Sequence, residues 1–192
     1  MKQNDAGRLL GVLALTLVAQ PLFAHTTAMS GADPAAGMLH PLLGADHLLA
    51  MLAVGVWAAQ LSGATLWRLA TAFALALLLG VQLSMTGVLF PAVEPIVATT
   101  LLLCGLMIAL QLRCAPRLAV GLLVLFGLFQ GYTHATVLGE NALPYSAGLI
   151  AMSVLLQLAG LATGHMLRRW HGALYRLSGA GLAFAGGGLL LV

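Results

Sequence analysis

Two histidines and an aspartate stand inside an apolar run: His40, Asp46 and His47 in HPLLGADHLLAM, residues 40–51. Imidazole and carboxylate together suit borderline divalent ions such as Ni²⁺, Co²⁺, Zn²⁺ or Cu²⁺. In lipid an ionised side chain at mid-depth costs roughly 2.5–3.5 kcal/mol, so such residues are functional candidates by default. The plainer alternative is an imidazole that only bonds a neighbouring helix; two imidazoles on one face beside an acid weaken it. On one continuous helix His40, Gly44, His47, Met51 and Val54 recur at spacings of four, three, four and three and share a face. His47 then lies two turns below His40, roughly 10 Å along the axis. Gly44 leaves a gap between them, and Pro41 suits the first turn of the helix. Asp46, about 100° off the histidine line, either ligates directly or orients a ligating histidine. Met51 adds a soft thioether on the same face.

A second polar cluster lies in FQGYTHATVLGENALP, residues 129–144. Gln130 and His134 are four apart on one face, with Tyr132 close by and Glu140 just beyond. The pattern G-x-x-H occurs at 44–47 and again at 131–134, on the first span of each three-helix half, and such inverted halves often carry a transporter's site at their interface. The two clusters would then line one cavity between the first and fourth spans. His25 would offer an α-amine and an imidazole if it became the N-terminus. His165 and His171, beside Arg168 and Arg169, either receive an ion at the inner face or anchor the interface.

The elements that carry these residues must be membrane helices. The chain is 61% hydrophobic and 7% charged, against about 25% charged residues in a soluble domain. Too few charges remain to coat a globule in water, and no basic stripe exists to meet a nucleic acid. Cys104 and Cys114 form no CxxC motif and no disulfide framework. The start resembles a secretion signal: Lys2 and Arg8, the apolar LLGVLALTLVA, then QPLFA. Cleavage after Ala24 is expected, with an uncleaved seventh helix as the alternative.

The expected fold is an all-α integral membrane protein, with six transmembrane helices following a cleavable signal peptide at 1–24. The single permease-like domain, 25–192, has spans near 38–60, 66–86, 92–112, 118–138, 146–167 and 174–192, each about the 20 residues a bilayer requires. With the mature N-terminus outside, Arg68, Arg113, Arg117, Arg168, Arg169 and Arg176 all fall inside, and Asp33, Glu94 and Glu140 outside. That is the positive-inside pattern. It points to a bacterial inner membrane, with a periplasmic mature N-terminus.

HPLLGADHLLAMLAVG at 40–55 is similar to the HPxxGxDHxxxMxxVG signature of the HupE/UreJ family of hydrogenase and urease accessory membrane proteins. The signal segment, the histidine after it and the six spans extend the resemblance over essentially the whole chain. The resemblance implies a nickel permease working by facilitated diffusion, with His40, Asp46 and His47 on the metal path. A second family motif resembles FHGxAHGxExP; its counterpart here is Phe129, Gln130, Gly131, Tyr132, Thr133 and His134, then Gly139, Glu140 and Pro144. Gln130 replaces a histidine, which leaves cobalt open beside nickel.

The expected activity is import of Ni²⁺ or Co²⁺, with no tightly bound cofactor and no catalysis. The expected metal residues are His25, His40, Asp46, His47, His134 and Glu140, with Gln130, Met51 and His165 along the path. No G-x-x-x-x-G-K-[ST] loop is present to bind a nucleotide. A cobalt permease serving cobalamin synthesis is the near alternative. A membrane haem protein with axial histidines is a more distant one. An intramembrane protease lacks both a GxSG and an HExxH motif.

Overall fold

The structure is a computed structural model that describes residues 33–61, 65–134 and 142–191. The expected signal peptide, its cleavage point, His25 and Glu140 lie outside these residues, as does the side chain of His134. The described residues form seven helices: α1 (Pro34–Leu43), α2 (Ala45–Ala58), α3 (Thr65–Met85), α4 (Val93–Ala109), α5 (Pro116–His134), α6 (Ala142–Trp170) and α7 (Gly172–Leu189). Three of them, α3, α5 and α6, are long and apolar enough to cross a bilayer alone, and α1 with α2 qualify as one broken span. The helix α4 is apolar but shorter, at 17 residues. Five of the expected spans each fall on one helix, and the longest, α6, runs to 29 residues.

The first span departs from expectation. It is two helices bent by 88° at Gly44, whose extended backbone (φ −96°, ψ 115°) ends α1 and begins α2. The helix α1 starts earlier than expected, at Pro34, where the Asp33 side chain caps it by accepting from the Ala35 N–H at 3.0 Å. Pro41 is therefore near the end of a helix, not in its first turn. It has no N–H for the Gly37 carbonyl, and its ring crowds that turn. A weakened helix end followed by glycine is where the rod breaks, so His40 and His47 belong to different helices and share no continuous face.

The helices pair backbone to backbone at glycine. A Cβ added to Gly37 would land on the Tyr145 carbonyl, one on Gly55 on the Gln157 carbonyl, and one on Gly131 on the Leu77 carbonyl. Lipid supplies no hydrophobic drive between helices, so close approach of this kind is what holds them together. Contact registers also give direction. Leu52 meets Gly160 and Val56 meets Gly164, so α2 and α6 run parallel. Phe73 meets Gly127 and Leu77 meets Gly131, so α3 and α5 run parallel as well. Leu102 meets Gly186 while Ala109 meets Gly179, which makes α4 and α7 antiparallel. In the Gly-rich last span, Gly179 and Gly186 pack on α4, whereas Gly181, Gly187 and Gly188 face open space.

Trp57, Phe73, Leu101, Leu123 and Leu149 fill the interior. The outer surface is equally apolar: Leu79 is 61% exposed and Phe184 75%. Water would not tolerate that exterior, but lipid tails would.

Candidate metal site

The break at Gly44 builds the site. It places Asp46 in the first turn of α2, where backbone N–H groups lack helical partners and the helix dipole favours negative charge. Asp46 Oδ2 lies 3.3 Å from His47 Nδ1, a charge contact at the long edge of hydrogen-bond reach. In metal sites a carboxylate beside one imidazole nitrogen commonly orients the ring whose other nitrogen binds the ion. The His47 side chain is 13% exposed and that of Asp46 28%, so the pair is shielded yet reachable.

Across the bend, the His40 and His47 ring centroids are 6.0 Å apart, with planes tilted by 34°. The break thus brings together two rings that a straight helix would separate by two turns. Two imidazoles bound to one ion through bonds of about 2.1 Å, at right or tetrahedral angles, have centroids roughly 4.5–5.2 Å apart. The pair must close by roughly 1 Å to share an ion at such bond lengths. Among the described residues no three His, Cys, Asp or Glu side chains converge as a metal cage. The arrangement is an open pair of imidazoles with a carboxylate behind one of them.

One wall comes from a residue the sequence reading did not single out. Tyr145, on α6, sets its ring 6.0 Å from His40 at 65°. The residue is 2% exposed, and its hydroxyl has no hydrogen-bond partner among the described residues. Gly37 and Gly148 let α1 and α6 touch there. Its position directly after Pro144, at the end of the second cluster, was the available signal.

The other candidates scatter. Met51, one turn beyond His47, is wholly buried in the core. Gln130 is 1% exposed, and neither end of its amide has a hydrogen-bond partner among the described residues. It sits on α5, which packs along α3 and shares no extensive contact with α1 or α2. Gly131 is a packing residue within α5 and Gly44 a hinge, so the repeated G-x-x-H has no common structural role. A cavity of about 150 Å³ does lie between α2, α3, α5 and α6. It is lined by apolar side chains and Gln157, and holds none of the histidines. His165 is exposed at the other end of α6, its Nδ1 2.9 Å from the Leu161 carbonyl. It shares a pocket with Arg113 and Arg168, and two guanidinium charges oppose a divalent cation there.

Helices joined at glycine, apolar inside and out, with ionisable side chains gathered where one span breaks, define a multi-pass membrane protein. Sequence comparison narrows the class. The family described as HupE / UreJ protein matches residues 13–189, and the chain belongs to that family. Protein HupE of Rhizobium leguminosarum bv. viciae is 34% identical over 181 residues, covering 92% of this chain and 95% of its own length. No solved structure matches the chain.

Proposed function

We propose that the chain is a bacterial inner-membrane permease that admits Ni²⁺ for the maturation of a nickel enzyme such as a hydrogenase or urease. The observation that carries this reading is the His40–His47 pair, 6.0 Å apart, with the Asp46 carboxylate 3.3 Å from His47, at the break of an apolar span. Family membership supports the cargo, and the donor set fits it: imidazole and carboxylate suit nickel and cobalt alike. The metal is cargo, not a resident cofactor.

The proposed course begins with capture at His25 or His40, from a periplasmic N-terminus freed by cleavage of the signal. The ion passes to His47, which Asp46 orients, while His134 and Glu140 supply further ligands from the second cluster. The looseness of the imidazole pair suits transport, because conduction requires binding weak enough to let the ion leave. The guanidinium groups around His165 argue for release elsewhere at that end. Six crossings accord with the helix directions: a broken first span parallel to the fifth, a second parallel to the fourth, and a third antiparallel to the sixth. With no nucleotide loop in the chain, the drive is facilitated diffusion or coupling to another ion.

The test is radioactive nickel uptake in cells stripped of their own nickel transporters. Wild type should exceed empty cells, and His47→Ala at matched membrane level should not. Uptake equal to that of empty cells from both proteins refutes the nickel reading. Cobalt is the second reading, on the ground of Gln130, whose amide is a poorer nickel ligand than the histidine of the family motif; suppression of nickel uptake by equimolar cobalt would favour it.

A further inference from the structure

At the opposite end of the bundle from the histidine pair lies a pocket of about 430 Å³. Arg113, Arg168, His165 and Gln60 line it, together with Pro116, the first residue of α5. Its charge is unbalanced. The carboxylates among the described residues are Asp33, Asp46 and Glu94, which stand at the starts of α1, α2 and α4. The pocket gathers around the C-terminal ends of α2 and α6, and the link between Gln60 and the Met107 carbonyl, at 3.1 Å, ties the end of α4 to it. The one ion pair between side chains of the described residues is His47 with Asp46, so neither arginine has an acidic partner there.

The two arginines are held differently. Arg168 donates from Nη1 to the Ala59 carbonyl at the end of α2, and its guanidinium lies 5.9 Å from the Tyr175 ring centroid. That fixes the group in place and leaves other N–H donors free to point into the pocket. Arg113 makes no side-chain hydrogen bond or ion pair among the described residues. His165 also lines the pocket, with its Nδ1 2.9 Å from the Leu161 carbonyl. Pro116 brings the positive end of a 19-residue helix to the pocket wall. Two guanidinium groups, a helix N-terminus and no acid form a polyoxyanion receptor at the edge of a lipid-facing bundle; basic pockets between membrane helices hold phospholipid headgroups in this way.

We propose that this pocket binds a phosphate group, supplied by the headgroup of an anionic phospholipid. The inference stands apart from the metal cargo and requires only that the chain be embedded in a bilayer. It is tested on the full chain by native mass spectrometry of protein released from nanodiscs of mixed phosphatidylglycerol and phosphatidylcholine. Wild type should carry phosphatidylglycerol in preference to phosphatidylcholine. Arg113→Gln should lower that retention about tenfold, the effect of losing one charge-assisted hydrogen bond. Arg169→Gln, which removes an arginine of the same end that does not line the pocket, should leave it unchanged. Arg113 ties no helix to another, so an unchanged melting temperature should accompany the loss. A parallel arm offers inorganic phosphate to protein in neutral detergent: a phosphate adduct lost only in Arg113→Gln, without lipid preference, upholds the phosphate site and assigns it a soluble ligand. Equal loss in both variants, or a wild type that retains neither anionic lipid nor phosphate, overturns the proposal.

Discussion

Gly44→Ala separates what the hinge does for the backbone from what it does for the site. At φ −96° and ψ 115° alanine is unstrained, and the shorter list of unfolded conformations favours it by about 0.4–1 kcal/mol. Space is the difficulty. A Cβ at this position falls 2.9 Å from Asp46 Oδ1 and 3.5 Å from His47 Cδ2. The carboxylate is the movable end of a side chain, so it swings aside and the helices stay where they are. A shift of roughly half an ångström lengthens its 3.3 Å charge contact with His47 Nδ1 and weakens its hold on the ring. Loss of a carboxylate that orients a metal-binding histidine lowers affinity about 10–100-fold, or roughly 1.4–2.7 kcal/mol. At nickel concentrations below saturation, initial uptake by Gly44→Ala should therefore fall by about that factor, with membrane level and thermal stability in detergent unchanged. Uptake equal to wild type would refute the orienting role of Asp46. A collapse in thermal stability would mean instead that the bend itself cannot accept a side chain.

Gly131→Ala should behave in the opposite way: its Cβ meets the Leu77 backbone, and overpacking of about 1–3 kcal/mol should lower the melting temperature whatever the metal. Tyr145→Phe removes a buried hydroxyl with no hydrogen-bond partner among the described residues, so stability should hold or rise slightly. A fall in nickel uptake in that variant would place the hydroxyl beside the passing ion. Gln130→Leu removes a buried amide unsatisfied at both ends among the described residues and should raise thermal stability by about 1 kcal/mol or more; uptake measured in the same membranes tells whether the amide is kept for transport. Nickel uptake should fall once the medium is acid enough to protonate the imidazoles, because a protonated ring has no lone pair for an ion. A profile that stays flat into that acidity would count against histidine ligands.

The apolar character of the chain and most helix positions were legible, because each depends on local composition that a bilayer enforces. The residues that come together at the bend were legible too, since His40, Asp46 and His47 are conspicuous in so apolar a run. Their geometry was not. An unbroken hydrophobic run over 38–60 and a helical spacing outweighed the two breakers inside it, Pro41 and Gly44, and only packing against α6 shows how far the chain turns there. Tyr145 was hidden for a related reason: its role depends on Gly37 and Gly148 bringing together two helices more than a hundred residues apart in sequence. Gly131 misled because a packing glycine and a hinge glycine have the same letter.

The bend also turns affinity into an angle. His40 and His47 hang from two rods joined through a single residue, so their spacing is not a property of either helix. With His40 about 6 Å from the hinge at helical rise, a rotation of roughly 10° changes the ring separation by about 1 Å, the distance between an open pair and one that can clasp an ion. Whatever leans on α1, whether a neighbouring protein or the thickness of the lipid, acts through that lever on the spacing of the two rings.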